Sequence, residues 1–229
     1  HDGVFKSTDG GDWWNAVNSG LNATLVEALA INPLVPTILY GGTNYGGVFK
    51  SIDSGENWRA TNAGLPRPAV YALEIDPIEP STIYAGTEDG LFRGTDHGRN
   101  WKRVTGGLPD SAVTALALHP ITSGVLYAGS GDHGVFRSTD GGNTWSEFNT
   151  GLPDAYLLDI SIALTSPPTL YASLLASTGC SVFKREDDGA SWELTGLIDV
   201  YAVRGLVIDP ATPTTLYAAT SDGVFRSEN

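Results

Sequence analysis

The chain has 229 residues, a single cysteine (Cys180) and no methionine. One cysteine excludes an intrachain disulfide, and with no histidine or acidic residue beside it Cys180 reads as a small buried or loop thiol rather than an activated one. Lysine is scarce and the net charge is −13, so there is no basic patch to hold nucleic acid or an anionic membrane surface. No apolar run approaches the roughly 18 residues that would cross a bilayer, so membrane insertion is not expected. No segment carries a 3.6-residue apolar stripe long enough for a helix. A glycine-rich phosphate loop, His/Cys metal spacing and a Ser–His–Asp arrangement are all missing, and the four histidines (1, 97, 119, 133) are scattered. Neither a metal nor a cofactor is expected.

What the chain has in quantity is repetition. Ser7-Thr8-Asp9-Gly10-Gly11-Asp12-Trp13-Trp14 recurs as Ser51-Ile52-Asp53-Ser54-Gly55-Glu56-Asn57-Trp58 and as Gly94-Thr95-Asp96-His97-Gly98-Arg99-Asn100-Trp101. It recurs again as Ser138-Thr139-Asp140-Gly141-Gly142-Asn143-Thr144-Trp145 and, most worn, as Arg185-Glu186-Asp187-Asp188-Gly189-Ala190-Ser191-Trp192. The closing tryptophans stand at 14, 58, 101, 145 and 192, in steps of 44, 43, 44 and 47 residues. A fixed period of this length means one supersecondary unit copied along the chain. The 28 glycines and 13 prolines fall at repeating places and read as turn punctuation.

One copy shows what the unit is. Val70–Ile75, Ser81–Thr87, Leu91–Thr95 and Trp101–Val104 are four short β-type runs, separated by Asp76-Pro77, Asp89-Gly90, the Asp-x-Gly turn and Gly106-Gly107-Leu108-Pro109. Four such runs in one period predict a four-stranded antiparallel meander, with strands a to d. A meander of this size cannot bury both faces alone, but stacked radially against its neighbours it can. The predicted fold is therefore all-β, a single β-propeller over 1–229 with five blades. Complete blades fall at about 25–65, 70–108, 113–152 and 157–197. The fifth is expected to be composite: 203–229 supplies strands a to c and the N-terminal segment 1–20 supplies d, which removes exposed sheet edges. Strand c of that blade is written twice, as Gly3–Ser7 and Gly223–Ser227. The spare copy is expected to fray, to pair outside, or to mark an array of more blades, and it offers a route to self-association. Both ends of the sequence fall inside a unit, which reads as a processed or excised segment.

The phrase Ser-x-Asp-x-Gly-x-Thr-Trp of residues 138–145 resembles the Asp-box of the BNR repeat family, which includes sialidases, xyloglucanase-type glycoside hydrolases, sortilin-like receptors and Ycf48-type assembly factors. The resemblance covers essentially the whole chain, and extends to Leu126-Tyr127-Ala128-Gly129 and Gly134-Val135-Phe136-Arg137-Ser138. It implies that Asp9, Asp53, Asp96, Asp140 and Asp187 lie on the face opposite any active site. Their chemistry agrees: Asp and Ser/Thr side chains build Asx-type turns, glycine supplies a positive φ, and Trp14, Trp58, Trp101, Trp145 and Trp192 start strand d and pack into the blade. These ten residues are expected to be structural.

Columns that recur in every blade are expected to be scaffold. They are the cations after Phe (Lys6, Lys50, Arg93, Arg137, Lys184, Arg226), the Leu/Ile-Tyr pairs ending at Tyr40, Tyr84, Tyr127, Tyr171 and Tyr217, and the turn formers Asn32, Asp76, His119 and Asp209. Off-pattern residues at the end formed by the d–a and b–c connections are the candidate binding residues: Tyr45, Arg67, Tyr71, His133, Asp154, Tyr156, Asp159, Tyr201 and Arg204, with Asn44 and Asp110 nearby. Blade four is expected to carry a long loop there, Ser173 to Cys180. Tyrosine and arginine gathered at one mouth suit a polar, aromatic binding patch.

No catalytic residue is assigned. The sialidase resemblance would require an arginine triad, yet only Arg67 and Arg204 are suitably placed, and the N-terminal arginine motif is absent. A xyloglucanase-type hydrolase needs two carboxylates flanking the bond, for which Asp110, Asp154, Asp159 and Asp199 are the candidates, but most connections are too short for deep walls. The expected function is a non-catalytic binding, interaction or scaffold module for a protein, peptide or glycan, in an extracellular, periplasmic or cell-envelope setting. A glycoside hydrolase fragment is the alternative.

Overall fold

The computed structural model describes residues 3–22, 25–66, 69–177, 179–197 and 200–227. The chain divides into two compact units, His1–Val104 and Thr105–Asn229. The first holds β1 (Phe5–Lys6), β2 (Asn15–Ala16), β3 (Val26–Ile31), β4 (Leu39–Thr43), β5 (Gly47–Ser51), β6 (Arg59–Ala60), β7 (Val70–Ile75), β8 (Ile83–Thr87), β9 (Gly90–Thr95) and β10 (Asn100–Arg103). The second holds β11 (Ala115–Leu118), β12 (Leu126–Gly129), β13 (Val135–Ser138), β14 (Ser146–Glu147), β15 (Tyr156–Ala163), β16 (Thr169–Ala176), β17 (Gly179–Glu186), β18 (Glu193–Leu194), β19 (Val203–Ile208), β20 (Leu216–Thr220) and β21 (Gly223–Ser227). One 3-10 turn, Gly131–His133, is the only helical element among the described residues.

The fold is all-β, with antiparallel meanders in a propeller arrangement. Strands β3–β6, β7–β10, β11–β14 and β15–β18 form four blades of four strands in the order a-b-c-d, and β19–β20–β21 form a fifth with three. Strand b sits mid-blade with neighbours on both faces, so β8 and β12 are buried at every position and read in sequence as continuous apolar runs. Strand d is short and outermost, and its visible signal is the tryptophan before it.

Side chains in fixed columns shape the turns. Asn32, Asp76 and Asp209 each use Oδ1 to accept two backbone N–H groups of the a–b turn, at 2.8–3.2 Å. His119 fills the same slot with Nδ1, accepting from Ile121 (3.3 Å) and Thr122 (3.0 Å). A second column clamps strand c to the segment after strand d: Asn18, Asn62 and Asn149 accept from Val4, Val48 and Val135 through Oδ1 at 2.7–2.8 Å.

Consecutive blades are latched through the tryptophans. The backbone N–H groups of Trp58 and Trp101 donate to Ser19 and Ala63, at the start of the Gly-Leu phrase after the preceding strand d, and those of Trp145 and Trp192 to Gly106 and Thr150, all at 2.7–2.8 Å. Indole Nε1 of Trp58, Trp101 and Trp192 reaches back as well, to the carbonyls of Val17, Thr61 and Phe148. These rings therefore pack between blades rather than only within their own. The latch demands glycine: a Cβ on Gly64 would lie 2.2 Å from the Trp101 carbonyl oxygen, and one on Gly151 2.4 Å from that of Trp192.

Two expectations are corrected. In the first unit β2 pairs with β1 (Phe5↔Ala16, Lys6↔Asn15), and in the second β21 pairs with β20 in a three-stranded sheet. Both copies of strand c are thus in use, the N-terminal copy held by the d strand ten residues away. Trp14, expected to pack into its blade, is 60% exposed, whereas Trp58, Trp101, Trp145 and Trp192 are buried. The expected long loop in blade four is strand instead: Ser173–Ala176 extend β16 and pair with Gly179–Val182, which buries Cys180 completely.

Candidate functional site

Tyrosine separates the two kinds of position. Five of the nine form the repeat column, and of these Tyr40, Tyr84 and Tyr127 are buried. The other four, Tyr45, Tyr71, Tyr156 and Tyr201, are all exposed, and all belong to the b–c turns, the d–a connections or the first residues of strand a.

In the first unit, Tyr45 stands in the turn between β4 and β5 with φ +62° and is 72% exposed. Its left-handed backbone throws the ring outward; beside it, Asn44 Oδ1 is a buried acceptor without a hydrogen-bond partner among the described residues. Tyr71 is the extra residue of a β-bulge in strand a, between Val70↔Thr87 and Ala72↔Gly86. The side chain of Val70 packs against Gly42, which sets the start of β7 against β4 and so puts Tyr71 at the same end as Tyr45. Arg67 lies outside the described residues.

The bulge recurs at the start of strand a, with Glu27 in β3, Leu158 in β15 and Arg204 in β19 as the extra residues. A bulge re-aims one side chain without breaking the sheet, and bulges are enriched next to binding sites. Sequence reading found Tyr71 and Arg204 but missed Glu27, because the bulge shows only as a broken alternation that any short strand can display.

In the second unit, the 3-10 turn Gly131–His133 takes the place of the tight b–c turn and exposes Asp132 and His133. Tyr156, at the start of β15, packs beside Gly131, and its hydroxyl is raised above the ordinary value by burial and by the Asp132 charge. Tyr201 is 78% exposed in the d–a connection before β19. Arg204 is exposed on its bulge. Beneath this end, Ser111 and Ser130 join hydroxyls at 2.7 Å.

The two carboxylates singled out there part company. Asp154 is exposed in the connection before β15. Asp159 is partly buried, its Oδ2 accepting from Leu206 N–H (2.7 Å) and its Oδ1 from Ile160 N–H (2.9 Å). Burial pushes its carboxyl up to about 6 in spite of those two donors. It occupies the slot of Ala28, Ala72 and Gly205 and covers the inner edge of the next strand a, as Thr114 Oγ1 does at the Leu157 carbonyl (2.9 Å). Asp199 lies outside the described residues. Among the described residues no cluster of three His, Cys, Asp or Glu side chains could hold a metal.

The octapeptide aspartates do turn work, in two ways. Asp9, Asp53 and Asp140 each accept from the Ser hydroxyl two residues back and from the backbone N–H four residues on. The carboxylate of Asp140 also accepts from Thr144 Oγ1 at 2.6 Å, and this bonding holds its carboxyl down at about 2. Where the leading Ser is missing, the arrangement changes. With Gly94 in that place, Asp96 and His97 adopt φ +52° and +57° and Asp96 pairs with Arg99 at 3.5 Å. With Arg185 in that place, Asp187 turns to the preceding blade, where it binds Arg137 at two points (3.1 Å each) and receives the Tyr127 hydroxyl.

Comparison with known proteins finds no matching family model and no curated relative. Solved structures do match. An ancestral GH74 enzyme superposes with a TM-score of 0.82 at 20% identity, covering 98% of this chain and 33% of that one. The GH74 xyloglucanase from Xanthomonas campestris matches with a TM-score of 0.72 at 20% identity, over 88% of this chain and 36% of its own. The extracellular domain of a putative one component system from B. thetaiotaomicron matches at 0.67 and 18% identity, over 89% and 27%. The chain spans about a third of the length of these GH74 chains. Likeness at such identities establishes the fold.

Proposed function

We propose that the chain is a non-catalytic β-propeller module that binds a glycan, peptide or protein at the b–c and d–a end of its blades, using Tyr45 and Tyr71 in the first unit and Tyr156, Tyr201, His133 and Arg204 in the second. One observation carries the reading: every tyrosine outside the repeat column is exposed, and all four belong to that end. A tyrosine ring offers a large flat contact at small entropic cost, with a hydroxyl for orientation. The ring suits a sugar face or an extended peptide, and the charge of −13 turns away nucleic acid. A secreted or envelope setting belongs to the same proposal; the extracellular domain among the structural neighbours supports it, and no helix among the described residues is long and apolar enough to cross a membrane.

Titration calorimetry with soluble xyloglucan and other polysaccharides is the first test, run beside a reducing-end assay. Binding without release of reducing ends is the expected result, weakened about tenfold or more in Tyr45→Ala/Tyr71→Ala or Tyr156→Ala/Tyr201→Ala. Release of reducing ends that falls in Asp154→Asn would overturn the non-catalytic reading in favour of a glycoside hydrolase segment, the alternative that the GH74 likeness supports.

A further inference from the structure

The fold repeatedly lays a cation over an aromatic ring. Lys50 stands over Tyr40 at 5.3 Å, Arg185 over Phe148 at 3.5 Å and Arg226 over Tyr217 at 5.9 Å. Arg137 is the fullest case. Its guanidinium lies 6.0 Å from the Tyr127 centroid and 5.8 Å from that of Phe148, and it binds the Asp187 carboxylate at two points. Ring, carboxylate and guanidinium satisfy one another there.

One place in the second unit has the ring and the carboxylate but not the cation. Tyr156 opens β15, is 37% exposed and lies against Gly131, where a Cβ would meet Tyr156 Cε2 at 3.4 Å. Asp132 follows Gly131 in the 3-10 turn and is exposed. The Tyr156 hydroxyl is raised by burial and next by the charge of Asp132, which puts that carboxylate near the ring. Asp154, two residues before Tyr156, is exposed as well. Neither carboxylate has an ion-pair partner among the described residues.

The unit's own cations are engaged elsewhere. Residues 105–229 carry five basic side chains and 14 acidic ones. Arg137 is held by Asp187, Arg185 and Arg226 lie over rings, and Lys184 stands opposite Glu193 in the register of β17 with β18. Arg204 alone belongs to the b–c and d–a end, and it sits on the bulge of the next strand a.

We propose that Tyr156, with Asp132 and Asp154, seats an arginine side chain of a peptide or protein partner, its guanidinium on the ring and facing the carboxylates as Arg137 does at Tyr127 and Asp187. This narrows the ligand of the second unit and rests on the reading of that end as a binding surface. Arginine fits better than lysine, because a planar guanidinium stacks on a ring and still meets a carboxylate with its edge. The acidic surplus draws a basic segment toward the same unit.

A short labelled peptide of alternating glycine and arginine, titrated with the full chain and followed by fluorescence anisotropy, tests the seat. The same peptide with citrulline for arginine keeps the shape and loses the charge. The native chain is expected to bind the arginine peptide about tenfold more tightly than the citrulline one. Tyr156→Ala and Asp132→Asn should each weaken arginine binding about fivefold, while Tyr156→Phe and Asp132→Glu, which keep the ring and the charge, stay within about twofold of native. Asp188→Asn, an exposed carboxylate of a c–d turn, should also stay within about twofold. Equal binding of the two peptides, or equal losses in Asp132→Asn and Asp188→Asn, overturns the proposal. A chain that ignores the arginine peptide yet binds xyloglucan in a Tyr156-dependent way overturns this inference and leaves the binding surface standing. Binding of neither overturns the inference together with the reading it rests on.

Discussion

The indole Nε1 of Trp192 donates to the backbone carbonyl of Phe148 in the preceding blade at 2.6 Å, and the two rings meet edge to face with centroids 6.1 Å apart. A residue read as the start of an outer strand is thus the bolt between two sheets. Trp192→Ala should cost about 3–5 kcal/mol, the ordinary range for removing a buried aromatic. Trp192→Phe keeps most of the packing and loses the donor, so a cost of about 1–2 kcal/mol is expected. Trp14→Ala, at an exposed site, should fall within about 0.5 kcal/mol of the native chain. Urea titrations of the three at low protein concentration check the order.

Gly151 separates two reasons for conserving flexibility at a turn. It has φ +90°, and a Cβ there would meet the Trp192 carbonyl oxygen at 2.4 Å; Gly10 has φ +79° and nothing within 4 Å. Gly10→Ala should therefore carry only the left-handed backbone cost, about 1 kcal/mol. Gly151→Ala must also push the blades apart and should melt several degrees lower than Gly10→Ala. Equal melting temperatures would show that the latch yields without strain.

The Arg137–Asp187 pair is partly buried, joined at two points and shared with the Tyr127 hydroxyl. Such a pair is expected to couple more strongly than a surface ion pair. A double-mutant cycle of Arg137→Ala and Asp187→Ala should return a coupling energy of roughly 1–3 kcal/mol. The Lys6–Glu56 pair in the same column is more exposed, and its cycle should give about 0.5 kcal/mol or less.

The blades were legible in sequence because each writes its own punctuation every 43 to 47 residues, and the buried Leu-Tyr columns repeat with it. Three features were not. The leading serine decides whether Asp53 and Asp140 cap their own turns while Asp187 crosses to another blade, and a worn repeat hides that change of partner. The local pairing of β1 with β2 was not foreseen, although residues 5–6 and 15–16 are ten apart and closing so short a loop costs little entropy. The bulges that present Tyr71 and Arg204 leave no residue signature. Four of the nine candidate residues, the exposed tyrosines, stood out only because everything around them repeats.

Two carboxylates give the chain opposite responses to acid, in separate windows. Asp140 is held down at about 2 in the folded chain by Thr144 and Ser138 against an ordinary value of 3.8, so its stabilising contribution is present above about 4 and is lost as pH falls toward 2. Asp159 is raised from 3.8 to about 6 by burial, so the folded chain holds that proton more tightly than the unfolded one. Its contribution is full below about 4 and is lost as pH rises through 6. Asp159→Asn cannot ionise, and the difference in stability between native and variant should therefore shift steadily against the native chain between pH 4 and 6 and then level off. Asp140→Asn should leave that interval unchanged and alter the profile only below pH 4. Chemical denaturation at half-unit pH steps measures both, and a native-minus-variant difference for Asp159→Asn that stays flat from pH 4 to 7 would show that its carboxyl titrates as freely in the folded chain as in the unfolded one.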